Sequence, residues 1–492
     1  MQTEIAVLRF GLGARPGDLA AAAGDPRAWL MAQIRGPVGL AGNTPLARSD
    51  QIFAEVQAAR DHAQEMKREA ALAPAATVAP TPAAAASAAA ASATAALATA
   101  TPFNPVREAY LTHYRAQVLA RAQSAALTAR PFAERLVHFW TNHFAVSADK
   151  GAVAGLAGTL ENEAIRPHVG GRFVDLLTAV EQHPAMIAFL DNQNSVGKDS
   201  QLAQYAAWRQ ARRPVGKRPR EFGINENLAR EILELHTLGV DGGYTQKDVT
   251  TFADIITGWS IGGGKGRLAG GPPGRFCFRD NLHEPGAKTF LGKTYREQGL
   301  AQGEAVLADL ARHPSTAHFI ATKLVRHFIS DDPPPAAVAR LATAFLKSGG
   351  DLPQVYAALI ESPEGWDAAA RKFKTPEDFV FSTLRALNIS PRQPEEVLRS
   401  FDLLGQRQYT PGSPAGWPDT SKSWDGSDAL MHRVLWASRV AERYEQGLDP
   451  VEVAASSLGA YARPETVTAL RRAASGTQAL ALLLMSPEFQ RR

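Results

Sequence analysis

Apolar residues recur at intervals of three and four through most of this chain, which is the period of an amphipathic helix. The spacing predicts helices over 131–146, 152–166, 172–181, 184–190, 226–238, 247–257, 315–329 and 335–346. Start and stop signals support several of them. Pro184 and Pro314 suit a first helical turn, Thr245 with Asp248 reads as a capping box, and Gly239 and Gly258 suit C-terminal caps. Strand character is confined to Arg275–Arg279 (RFCFR) and Lys288–Tyr295, which read together as one hairpin carrying the loop His283-Glu284-Pro285-Gly286. The expected fold is therefore mainly α, a multi-helix globular assembly with one small β-hairpin.

Two biased stretches interrupt the pattern. Residues 71–101 are almost all Ala with Ser, Thr and Pro, a composition with no apolar stripe to fix packing, and read as a flexible insertion. Residues 261–274 (IGGGKGRLAGGPPG) read as a mobile surface loop, because Gly carries no packing and Pro forbids ladder bonds, and they fit neither the Walker nor the dinucleotide glycine pattern. The expected organisation is an N-terminal helical part over 1–70, the insertion over 71–101, and a main helical body over 102–492.

Composition narrows the function classes. With 45% hydrophobic and 21% charged residues, the chain can bury a substantial core. A net charge of +4 over 492 residues is a weak mean field, and the one dense basic run is Arg209, Arg212, Arg213, Lys217, Arg218 and Arg220. No aromatic residue is interleaved after Trp208, so the run reads as a solvated loop and no nucleic-acid partner is expected. Cys277 is the sole cysteine, which excludes an internal disulfide, a Cys-rich zinc site and a cysteine-held iron–sulfur cluster. No stretch approaches the ~20 apolar residues of a membrane span. Met1–Phe10 lacks the apolar run of a signal peptide, so a cytoplasmic location is expected.

Candidate chemistry clusters on two helices. In PFAERLVHFWTNHF, from Pro131, the side chains Glu134, Arg135, His138, Thr141 and Asn142 fall in one polar arc. Trp140 lies in the apolar remainder, and His143 projects there too, where an imidazole needs a partner. In GINENLAREILELHTLGVDGGY, from Gly223, His236 sits within an apolar face, and Glu226 and Glu231 lie at the rims of the polar one. Partial desolvation there would raise a carboxyl pKa toward acid–base use. The i,i+4 pairs of Arg230 with Glu226 and Glu234 also suit a plain exposed helix. Arg166 after Glu163, Trp259, His283 with Lys288, and Trp417-Pro418-Asp419 complete the polar and aromatic candidates. No metalloprotease, serine-hydrolase or kinase signature is present.

These readings give His143, Glu226, Glu231 and His236 as acid–base candidates. Trp140, Asn142, Arg166, Arg230, Trp259, His283, Lys288 and Trp417 are the substrate-binding candidates. The best expectation is an enzyme, a hydrolase or lyase, acting on a carbohydrate or similar polyhydroxylated substrate. A non-enzymatic scaffold whose polar groups form internal networks is the alternative, and a protein binding metal through His and carboxylate the third. The sequence names no cofactor, and the oligomeric state is open.

Nine strings occur in order: RFGLGARPG at Arg9, PFAERLVHFWTNHF at Pro131, ENEAIRPHVGGRF at Glu161, HPAMIAFLDN at His183, NENLAREILELHTLGVDGGYTQKDV at Asn225, ITGW at Ile256, HEPGAKTFLG at His283, HPSTAHFIATKL at His313 and GWPD at Gly416. Together they resemble the large bacterial family known as domain of unknown function 1800, from about Arg9 onward, with the Ala-rich and Gly-rich stretches as insertions between motifs. The resemblance implies no established activity. It implies a sulfatase-like protein, encoded beside many members, as the partner of a scaffold. It also implies export of many relatives, which makes a periplasmic or secreted location the alternative to the cytoplasm.

Overall fold

Helices dominate because the three-and-four spacing of apolar residues gives each one a face that must be buried against another. A computed structural model describes residues 1–72, 104–212, 223–369 and 371–492. The Ala-rich segment lies almost wholly outside the described residues, as do Arg213, Lys217, Arg218 and Arg220 of the basic run; Arg212 stacks over Trp208, 3.8 Å from its ring centre. The described elements run α1 (Ser49–Leu72), α2 (Pro105–Leu127), α3 (Pro131–His143), α4 (Phe173–Glu181), α5 (Pro184–Phe189) and α6 (Gln246–Ile255), then four short strands. After the strands come α7 (Leu300–Leu310), α8 (Pro314–Phe328), α9 (Pro335–Ser348), α10 (Leu352–Glu361), α11 (Pro376–Ala386), α12 (Pro394–Leu404), α13 (Ser427–Tyr444) and α14 (Gly476–Met485) among longer and shorter pieces. One continuous apolar core extends from Ile5 to Phe489, with Phe10, Phe132 and Phe328 stacked edge and face at its centre.

The local signals act as their chemistry predicts. Thr245 and Asp248 exchange the two bonds of a capping box at the start of α6. His183 and His313, each before a proline, accept the backbone N–H of Ala185 (3.1 Å) and Ser315 (3.2 Å) through Nδ1 and so cap α5 and α8. Their shared His-Pro pattern is a helix-start device.

The strand pairing differs from the single hairpin expected. β2 (Phe276–Phe278) pairs antiparallel with β1 (Trp259–Ile261), and β3 (Lys288–Phe290) pairs with β4 (Lys293–Tyr295). The loop holding His283 therefore joins two separate ribbons. Trp259 and Phe276 pack edge to face, while Leu291 and Gly292, both at positive φ, make the tight turn from β3 to β4. Two helical predictions also change locally: 160–165 and 232–237 take wider π-type turns inside their helices.

Candidate functional site

The polar arc of α3 faces a ring of buried charge. Arg166 holds Glu134 through two bonds of 2.8 and 2.6 Å and Glu161 through bonds of 3.1 and 2.7 Å. Arg121 of α2 pairs with Glu161 and, at 3.0 Å, with Glu377 of α11. His138 closes the ring, its Nδ1 3.1 Å from Glu377 and its Nε2 3.5 Å from Glu134. Tyr409 and Thr141 each donate a hydroxyl to Glu161 at 3.1 Å. Three carboxylates thus meet two guanidiniums and one imidazole. Only a protonated His138 makes the ring neutral. Burial and Arg121 push the His138 pKa down, but Glu377 and Glu134 outweigh them and the net shift is upward. Glu377, though buried, is drawn down to about 2 by Arg121 and His138.

A cleft opens beside this ring. Its walls include Arg121, Arg135, His138 and Asn142 from α2 and α3, His327 from α8, Glu377 and Asp378 from α11, and the loops holding Tyr409, Trp417 and Asp419. About 60 Å³ of it admits the centre of a water-sized group, within about 760 Å³ of empty space that includes the open mouth. That floor is room for roughly four or five water-sized groups.

The far wall is set by one loop. Asn142 Nδ2 donates to the Trp417 carbonyl (3.0 Å), and the Trp417 N–H donates to Asn142 Oδ1 (2.7 Å). Gly416 makes this approach, at φ +83°, where a Cβ would come within 2.3 Å of the Asn142 carbonyl oxygen. Two residues after Trp417, Asp419 accepts from His327 Nδ1 at 3.0 and 3.2 Å, and Lys372 donates to the Asp419 carbonyl at 2.8 Å. His327 Nε2, like His138 Nε2, is sealed from solvent and has no hydrogen-bond partner. Burial holds the His327 pKa down at about 4 against the pull of Asp419, with Arg135 and Arg492 adding to the depression. Asp419 is itself held far below the usual carboxylate range by His327 and the cations near it, against the upward push of burial. At neutral pH the pair is a neutral imidazole bonded to a carboxylate, the arrangement that fixes a histidine tautomer with Nε2 bare.

Of the twelve residues singled out by sequence, this cleft gathers Asn142 and Trp417 in its wall. Arg166 stands behind it in the charged ring. The two oily-face histidines do come together, with ring centres 6.1 Å apart. His143 Nε2 donates to the His236 carbonyl (3.2 Å), and His236 Nδ1 meets Glu181 of α4 at 2.8 Å. Both are buried, and burial drives the His143 pKa well down, with Lys323 and His236 adding to it. Trp140 is buried too and donates to the Tyr356 hydroxyl at 2.6 Å.

Glu226 and Arg230 lie elsewhere, in a surface cluster with Gln246 and Thr250. The rim position was expected to raise both carboxyl pKa values. Glu231 is raised by burial, but Glu226 is lowered, because Gln246 and Thr250 donate to it and burial is slight. Trp259 is enclosed in the core, His283 bonds the Thr257 carbonyl at 3.0 Å, and Lys288 caps the carbonyls of Pro285 (2.6 Å) and Gly286 (2.9 Å). Among the described residues, no group of three or more His, Cys, Asp or Glu is arranged to hold a metal ion. Among them, no helix is long and apolar enough to cross a membrane.

Sequence reasoning missed His327, Glu377 and Asp378. His327 reads as one more polar residue on an apolar helix. Asp378 carries only the signal of a capping box with Thr375, and that box is present in the structure. Asp419 was visible in GWPD, but its partner lies 92 positions away.

No curated protein and no solved structure matches the chain. The family model described as protein of unknown function (DUF1800) matches residues 5–491, nearly the whole length, and the chain belongs to that family.

Proposed function

We propose that this protein is an enzyme, a hydrolase or lyase, that works by acid–base chemistry in the cleft on a hydroxyl-rich, carbohydrate-like substrate. The observation that carries the reading is the pair of imidazoles in one cleft whose surroundings drive them apart: His138 toward the charged form, His327 toward the neutral one. Titratable groups pushed in opposite directions within one site are how a protein assigns an acid and a base. His327 Nε2 is sealed from solvent. On this reading a substrate that displaces the cleft wall brings a hydroxyl or carbon acid to it, Nε2 takes the proton, and Asp419 on Nδ1 steadies the imidazolium that forms. His138 supplies the acid from Nε2, which lies too far from Glu134 for a firm bond, while Glu377 keeps hold of Nδ1. Trp417 offers an aromatic surface at the cleft wall for a sugar ring. The chemistry expected from sequence is kept, and its residues shift from His143, His236, Glu226 and Glu231 to His327, Asp419, His138 and Glu377.

The test is a turnover screen over glycosides and polysaccharides with the unaltered protein, His327→Gln and His138→Asn. Loss of kcat by about 10²- to 10⁴-fold in both variants, with far-UV circular dichroism unchanged, supports the reading. Equal turnover in all three proteins overturns it.

One observation favours a second reading, a non-enzymatic partner of a sulfatase-like protein. The ring from Glu134 to His138 is closed, and neutral when His138 carries its proton, which is what a purely internal network fixing helix packing requires. Co-purification of the two proteins, unaffected by His327→Gln, identifies that case. Fractionation of cells separates the cytoplasmic from the exported location.

A further inference from the structure

A second hollow lies apart from the cleft and shares no wall residue with it. It is bounded by α1, the start of α2, α5 and the glycine-rich loop 261–274. About 390 Å³ of it admits the centre of a water-sized group, within about 1180 Å³ of empty space that includes its mouth. Small-molecule sites fall in the same range, about 300 to 1,000 Å³.

Its lining is graded from apolar to polar. Phe53, Tyr110, Leu156, Ile261 and Leu268 all line it, and each is only half-buried, which leaves apolar surface open that packing would otherwise cover. Helix α1 carries the gradient. Phe53, Gln57, Arg60 and Gln64 are spaced four, three and four apart, so they form one stripe along the helix, and all four line the hollow. The stripe is aromatic at its first position and polar from Gln57 onward. Phe53 and Arg60 are two turns apart, about 10 Å along the axis. The side-chain amides of Gln57 and Gln64 form no hydrogen bond with the described residues.

Charge is uneven as well. Asp61 of α1 and Lys265 of the loop satisfy each other at 3.0 Å. Among the described residues no carboxylate is in ion-pair range of Arg60, whose Nη2 reaches the Tyr110 hydroxyl at 3.4 Å, the long end of a hydrogen bond. The lining therefore holds one unmatched positive charge.

The glycine-rich wall is fastened in place. Buried Arg279 donates to the carbonyls of Ile261 (2.9 Å), Leu268 (2.6 Å) and Ala269 (2.6 Å). Gly274 rests against α1, where a Cβ would come within 2.6 Å of the Phe53 Cβ. Walls held before a ligand arrives lose less free energy to ordering when it binds.

We propose that this hollow binds a small organic anion, with an apolar body about 10 Å long beside Phe53, Leu156 and Ile261 and a single anionic head on Arg60. Covering the open apolar side chains supplies the attraction, and the amides of Gln57 and Gln64 join the guanidinium as donors to the head.

The full chain is titrated calorimetrically with sodium decanoate below its micelle-forming concentration, with sodium butyrate and decyltrimethylammonium bromide as comparisons. Saturable 1:1 binding of decanoate is expected, about tenfold or more tighter than either comparison. Butyrate has the head without the body, and the ammonium has the body with the opposite charge. Arg60→Gln should weaken decanoate about tenfold and leave the ammonium no weaker. Ala152→Trp, which fills the hollow from an exposed wall position, should abolish decanoate binding. Far-UV circular dichroism checks that both variants, each changed at an exposed residue, remain folded. Absence of saturable decanoate binding, equal binding of the ammonium, or decanoate binding that survives either substitution unchanged overturns the site.

Discussion

The side-chain amide of Asn142 pairs with both backbone polar groups of Trp417, at 3.0 and 2.7 Å, across 275 positions of sequence. This pairing anchors the loop that brings Asp419 to His327. Asn142→Ala leaves the N–H and C=O of Trp417 without partners, at a cost of about 2 to 3 kcal/mol. Asn142→Asp keeps the acceptor, loses the donor, and should fall between. Urea unfolding measures the stability, and turnover should drop further than stability predicts, because Asp419 loses its position two residues along the same loop. Gly416→Ala should mimic the defect, since its Cβ would strike the Asn142 carbonyl at 2.3 Å and its φ is +83°.

The ring of buried charge predicts a large effect from a small change. Arg166→Met removes the bonds to both Glu134 and Glu161 and leaves two buried carboxylates short of a counter-charge. Breaking one side of such a network costs about 3 to 5 kcal/mol. The unfolding midpoint in urea should fall accordingly, with the slope unchanged. If it does not, the ring is more solvated than its burial implies.

Stability should decline in acid in two stages. His327 has a folded pKa near 4, below its ordinary 6.5, so the unfolded chain takes up the proton first. Its contribution is complete above pH 6.5 and is lost as pH falls from 6.5 through 4, at most about 3 kcal/mol. Glu377, held near 2 against an ordinary 4.5, then loses its contribution as pH falls from 4.5 toward 2. His138 works in the opposite sense: its raised pKa adds stability that is present below 6.5 and lost as pH rises through the folded value. His143, also depressed by burial, contributes with the same sign as His327 below pH 6.5. In His327→Gln the decline between pH 6.5 and 4 should therefore become shallower without vanishing while the lower stage persists, as read by denaturation at successive pH values.

The surface pair of Glu226 and Arg230 should behave as an ordinary exposed helix contact. The two side chains are 32% and 39% exposed and 3.0 Å apart. Glu226→Gln should change the free energy of unfolding by less than about 0.5 kcal/mol, and high salt should erase even that difference. A loss above about 1.5 kcal/mol would show that the cluster with Gln246 and Thr250 acts as one unit.

Much of the fold was legible in the chain because helices are specified locally. The helix start at Pro131, the His-Pro starts at His183 and His313, and the box at Thr245 depend on residues within a turn or two of each other, and each appears where the pattern placed it, although the helix predicted over 131–146 ends at His143. The apolar setting of His143 and His236 was equally local, and so was their need for partners. What those partners would be was not local. Nothing near His236 in sequence announces Glu181, and nothing near His327 announces Asp419. The strands went to unexpected partners for the same reason, since three-residue segments carry too little pattern to choose between neighbours.

The sequence by itself determined a helical body, its caps, and which polar side chains would be driven inside, because those depend on periodicity and hydrophobicity alone. The tertiary structure alone decided which of those groups share a hollow. Ion pairs and pKa values depend on distances of a few ångströms between residues hundreds of positions apart, such as Arg121 with Glu377 or Arg135 with Asp378. The protonation of His138 and His327, and with it the chemistry available to the cleft, exists only once α2, α3, α8 and α11 have packed.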